Sequence, residues 1–129
     1  GKLARTMYAP FTAEIDRATG EHAVSIPGFI PINSIAAPAG TTHVKFITAA
    51  AEIDFENETY DISTSESPEV VLDATQTAVI DLKTGLTPDS TKPIFLVMGI
   101  VFYQEVNGVK YTLKNGYFNC LSIIKVSGV

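Results

Sequence analysis

The 129-residue chain contains a single cysteine, Cys120, and no tryptophan. One thiol excludes an internal disulfide framework and a thiolate metal site. A chain of this length does not need such staples, because folding buries roughly two-thirds of the extended-chain surface. Long hydrophobic runs are also missing. The longest, Ile94 to Tyr103, is about half of the ~20 residues that a membrane-spanning helix requires. No stretch carries the i, i+3, i+4 recurrence of an amphipathic helix, no repeat recurs at a solenoid period, and no linker divides the chain. A signal-peptide pattern is absent, and the Gly-Lys opening reads as an excised piece or a tag remnant, which leaves the compartment unassigned.

Positive charge is scarce where negative charge is dense. Between Phe46 and Leu82 the chain carries nine acids and no lysine or arginine, whereas the remainder has nine bases and five acids. The net charge of −5 argues against a nucleic-acid backbone as partner. With 46% hydrophobic and 18% charged residues, the composition supports a folded core and not a disordered chain.

What is present is organised around Ile94 to Val126, an apolar ribbon that folds back on itself at Asn107-Gly108. Asn-Gly suits a type I′ turn, in which both central residues take φ > 0. Ile94, Leu96, Met98, Ile100 and Phe102 share one face of the outgoing arm. Phe95, Val97, Val101 and Tyr103 share the other, so both faces need cover. Asn115-Gly116 marks a second turn or bulge in the return arm.

Upstream, Phe11, Ala13 and Ile15 alternate with polar residues and turn through Ala18-Thr19-Gly20 into His22–Ile26, a hairpin. Three prolines in 27–40 forbid a central strand or a helix interior. Phe29, Ile30, Ile32 and Ile35 instead suggest an extended crossover packed on the sheet, the first candidate to cover the ribbon's second face. A partner subunit is the second candidate. Residues 42–55 form a strand region in which Val44 and Phe46 differ in parity from Ala49, Ala51, Ile53 and Phe55, which predicts a bulge near Ile47-Thr48. Short strands follow at 59–63, 70–72 and 77–82, and 85–93 is turn chemistry. The architecture expected is all-β: residues 1–10 as a lead-in, then one two-sheet antiparallel sandwich over 11–129, with a jelly roll or a partial barrel as alternatives.

Few residues carry chemistry. On an extended strand Glu52, Asp54, Glu56 and Glu58 would share one face, and clustered carboxylates suit Ca²⁺. Evenly spaced acids do not converge on one point, however, and a solvated edge that blocks strand pairing is the better account of them. His22 and His43 have no Ser, Cys or carboxylate at a catalytic spacing and read as rim residues. Cys120, in an apolar strand, reads as a small buried hydrophobe. Tyr103, Tyr111, Tyr117 and Phe118 cluster near the hairpin, either as cross-strand aromatic pairs or as stacking faces for a sugar. No nucleophile, base and orienting group can be assembled, so no cofactor and no catalysis is expected.

The runs THVKFITAAAEIDF, LDATQTAVIDL and PIFLVMGIVFYQEVNGVKYTLKNG, within residues 42–126, resemble uncharacterised bacterial domains of the immunoglobulin- and fibronectin-III-like type. The paired cysteines and strand tryptophan of antibody domains are not present. The resemblance implies an adhesive or scaffolding module and carries over no functional residue. The function expected is therefore a structural or protein–protein interaction module, through a protein partner or self-association. The alternative is a carbohydrate- or cation-binding module using the acidic edge and the hairpin tyrosines.

Overall fold

A computed structural model describes residue 3, residues 6–113 and residues 121–128. The first hairpin forms as β1 (Thr12–Ile15) and β2 (Glu21–Ile26), paired from Thr12↔Ser25 to Ile15↔His22. Gly20 turns between them at φ +77°, where a Cβ would lie 2.2 Å from the Leu86 carbonyl oxygen. The chain then crosses through a single helical turn, α1 (Pro31–Ser34), before β3 (His43–Asp54) and β4 (Thr59–Glu66). Pro31 is tolerated in α1 because it begins the helix, where its missing N–H would have had no intrahelical acceptor. Next come β5 (Val70–Val71), β6 (Ile80–Gly85), β7 (Ile94–Val106), β8 (Val109–Thr112) and β9 (Ser122–Ser127).

These strands make two antiparallel sheets, the sandwich expected from the sequence. One has the order β1-β2-β6. The other is built on β3 and β7, paired from His43↔Tyr103 to Glu52↔Ile94. On its free side β3 meets β4 and then β5, while β7 meets β9 and then β8. Asn107 and Gly108 turn the β7–β8 hairpin at φ 52° and 78°, as a type I′ turn demands. The return arm is not one strand. It leaves β7 at Leu113, whose N–H bonds the Phe102 carbonyl, and rejoins it at Ser122 opposite Met98. The expected turn at Asn115-Gly116 lies outside the described residues.

The core fills the space between the sheets. Val24, Ile26 and Leu82 from the smaller sheet face Phe46, Leu96, Met98, Ile100 and Phe102 from the larger. Leu3, Met7 and Ala9 from the lead-in are buried in the same cluster, and Met7 bridges to Ile35. The crossover packs into this core, with Phe29 set edge-on against Phe46 at 5.8 Å between centroids. It therefore covers the ribbon's inner face and not the second face assigned to it from the sequence.

The bulge expected near Ile47-Thr48 is not there, since β3 pairs with β7 without interruption. Parity never changes. Polar Thr48 and Glu52 take inward positions in line with Val44, Phe46 and Ala50. Thr48 satisfies its hydroxyl by donating to the Val97 carbonyl at 2.8 Å. The irregularity lies instead in β9, where the register with β7 shifts between Leu96 and Val97.

Phe46 is fully buried and bridges the crossover to both sheets. Phe46→Ala is expected to destabilise the fold by about 3–5 kcal/mol, read as a lower midpoint in urea unfolding. An unchanged midpoint would contradict this core.

Candidate functional site

Strand alternation gives the sandwich two outer faces, and they differ in chemistry. On the smaller sheet the outward positions are Thr12, Glu14, Glu21, Ala23, Ser25, Asp81, Lys83 and Gly85, with Lys83 3.8 Å from Glu21. That face is polar. On the larger sheet the outward positions run in cross-strand rows: Tyr60 beside Ile53, Ile62–Ala51–Phe95–Val126, and Thr64–Ala49–Val97–Ile123, in which Thr64 is the one polar member. Tyr60, Ile62, Val126 and Ile123, on the two flanking strands, are between 54% and 69% exposed. The central residues are half-buried by their neighbours in the sheet.

Towards the far end this apolar face becomes charged. Lys45 lies 3.4 Å from Glu66 and 5.7 Å from the centroid of the Tyr103 ring. Hydrogen bonding to the Tyr103 side chain, reinforced by Glu66, holds the Lys45 ammonium above the ordinary lysine range. Lys110 meets Glu69 at 2.8 Å, which pulls the Glu69 carboxyl below its usual value. The acid-rich stretch is thus answered by bases brought from outside it.

The four acids at 52–58 do not share a face. Glu52 points into the core and is 5% exposed. The strand ends at Asp54, whose Oδ1 accepts the Glu56 and Asn57 amides and whose Oδ2 accepts the Asn57 side chain. Those bonds, chiefly from Asn57, with Lys92 3.4 Å away, lower the Asp54 pKa. Glu56 and Glu58 sit exposed in the turn that follows, Glu58 at φ 56°. Among the described residues no group of three or more His, Cys, Asp or Glu side chains could hold a metal ion.

The hairpin aromatics have no common platform. Tyr103 pairs with Thr112, and Tyr111 pairs with Gln104, so the two rings project from opposite faces of the sheet. Tyr117, Phe118 and Cys120 lie outside the described residues. His43 Nδ1 is 2.8 Å from the Thr42 hydroxyl. A shallow open hollow of about 410 Å³ lies between residues 66–70 and 77–81, with Glu66, Ser67, Thr77 and Asp81 as its polar lining. No helix among the described residues is long and apolar enough to cross a membrane.

Two residues at one end of the sandwich were not singled out correctly by sequence reasoning. His22 is no rim residue. It is fully buried, because its position in β2 is in phase with Val24 and Ile26. Arg17, in the β1–β2 turn, spends its whole guanidinium on acceptors far along the chain: Nε on Ser127 Oγ, Nη1 on the Ser90 and Lys92 carbonyls, and Nη2 on those of Ser127 and Gly128, at 2.7–3.1 Å. This ties the turn to the 88–93 loop and to the end of β9. No spacing in the sequence could reveal it, since the acceptors are main-chain groups or a serine hydroxyl more than 70 residues away. A lysine cannot reproduce that fork. Arg17→Lys is expected to lower stability by about 2–3 kcal/mol, nearly as much as Arg17→Ala, in urea unfolding. Full retention by lysine would show that charge, and not the fork, matters there.

No protein-family model matches the chain, and no curated protein matches it. Among solved structures, the chain is similar to one described as "pH-induced modulation of Streptococcus parasanguinis adhesion by Fap1 fimbriae", at 12% identity and a TM-score of 0.35, over 88% of this chain and 75% of the other. It is also similar to the human F-spondin reeler domain, at 12% identity and a TM-score of 0.29, over 95% and 94% of the two chains. At these scores neither likeness carries an argument about mechanism or partner.

Proposed function

We propose that this protein is a non-catalytic protein-interaction module, one part of a longer chain or assembly, and that it docks through the outer face of its larger sheet. The observation that carries this reading is the inequality of the two outer faces. Four strands spaced about 4.8 Å apart, over about six residues each, make an apolar patch of roughly 400 Å². The largest exposed apolar patch of a single chain is often functional at about this size. Bordered at one end by the Lys45–Glu66 and Lys110–Glu69 pairs, it has an apolar centre with a polar margin, as protein interfaces do.

The strand order supports an immunoglobulin- or fibronectin-III-like kinship of architecture. Lettered A, B, C, E, F and G, the strands β1, β2, β3, β6, β7 and β9 fall into an A-B-E sheet and a C-F-G sheet. Such sandwiches host many unrelated roles, so the docking assignment rests on the face and not on the fold.

The partner's complementary surface is apolar, and a second copy of this chain is the simplest protein that presents one. Light scattering across a concentration series is expected to show the mass rising from 13.8 kDa towards twice that value. Ile62→Lys and Val126→Lys, both at exposed positions, are expected to hold the chain at one copy while leaving its melting temperature within a few degrees of wild type. A wild-type mass that stays at one copy up to millimolar concentration would remove self-association as the function.

A further inference from the structure

Among the described residues two buried polar side-chain atoms, one on each sheet, have no hydrogen-bond partner: His22 Nε2 on the smaller and Glu52 Oε2 on the larger. Orphaned atoms of this kind are few in a folded protein and ask for a reason. His22 is 0% exposed and Glu52 5%. His22 lies where β2 begins and Glu52 near the end of β3, and Glu52 is one of the groups that favour the charged form of His22.

The protonation state of His22 follows from its other nitrogen. Nδ1 accepts the Asp16 backbone N–H at 3.1 Å, so it carries no proton and the neutral ring holds its hydrogen on Nε2. The same turn is closed by Asp16, whose carbonyl accepts the Gly20 N–H and whose Oδ1 accepts the Ala18 and Thr19 amides. Arg17, the next residue, carries the staple to the 88–93 loop and β9. From β6, Thr84 contributes only a hydroxyl, which donates to the His22 carbonyl. Asp61 stands across from Glu52 on β4.

We propose that His22 and Glu52 form an acid-sensitive latch. Proton uptake by His22 turns Nδ1 from acceptor to donor, breaks its bond to the Asp16 amide, and frees the β1–β2 turn together with the Arg17 staple. Asp16 first, and Glu52 after it, favour the entry of that proton. Burial and Arg17 oppose the imidazolium, while Asp16 and Glu52 favour it. Burial is the largest of these influences, and the His22 pKa lies below its ordinary value of 6.5.

The direction of the pH effect follows. The unfolded chain takes up the proton near pH 6.5 and the folded chain only at lower pH. The stability contributed by neutral His22 is complete above that range. It is lost as pH falls from 6.5 through the folded-state value, by at most about tenfold in the folding equilibrium per pH unit.

Urea unfolding of the wild type and of His22→Asn between pH 8 and pH 5 tests the latch, because asparagine keeps an acceptor near the Nδ1 position and does not titrate. Below pH 6.5 the wild type is expected to lose stability relative to the variant. Parallel pH profiles would overturn the proposal. Should His22→Asn not fold, nitrogen-15 NMR of the wild type serves instead. The ring should be the Nε2–H tautomer at pH 8, and the Asp16 amide should shift with the same midpoint as His22. An Asp16 amide indifferent to His22 titration would overturn the latch. In Glu52→Gln the His22 midpoint should fall further, and an unmoved midpoint would remove Glu52 from it.

Discussion

The pairing of β3 with β7 is the constraint on which the rest of the structure depends. Ten consecutive residue pairs, His43↔Tyr103 through Glu52↔Ile94, fix which side of each strand looks inward. A slip of β3 by one residue against β7 would turn Val44, Phe46 and Ala50 to solvent and bring Lys45 into the core. Both free edges of this pair are then occupied, by β4 and β5 on one side and by β8 and β9 on the other. The smaller sheet adds the second layer that the inward face requires.

That parity also creates the candidate interaction surface. A ribbon apolar on both faces can give only one of them to the core. The other is left as a sheet face flanked by Tyr60 and Ile62 on β4 and by Ile123 and Val126 on β9. Its charged end is neutralised locally, because Lys45 and Lys110, from outside the acid-rich stretch, sit on Glu66 and Glu69 within it. A chain whose charge is segregated in sequence is therefore partly mixed in space. What distinguishes one side of the molecule from the other is apolar area more than charge.

The end of the sandwich at the β1–β2 turn follows a different logic. Elsewhere the buried polar side chains, Thr48 and Ser67, are hydrogen-bonded, but here a histidine, a glutamate and a threonine are buried towards the end where Arg17 commits its guanidinium. Burying such groups weakens a core unless every polar atom finds a partner. Arg17 finds all of its partners, whereas His22 and Glu52 each keep an atom without one. Titration can act at the one place where the interior is polar and incompletely paired.

Local conformation was legible in the sequence. Asn107-Gly108 and Gly20 are required by backbone sterics at φ > 0, and the alternation in residues 11–26 and 94–103 follows from the two-residue repeat of a strand. The all-β class and the two-sheet sandwich follow from those elements and from the lack of any helical period. Only the tertiary structure decided which face of each strand is buried. The alternating pattern of residues 42–55 changes phase because inward Thr48 and Glu52 interrupt it, and their burial depends on the opposing layer and on the Val97 carbonyl. The same holds for His22, which is buried by its register against β6, and for the crossover, which chose the core over the outer face. The acceptors of Arg17 lie far along the chain, and only folding brings them to the guanidinium.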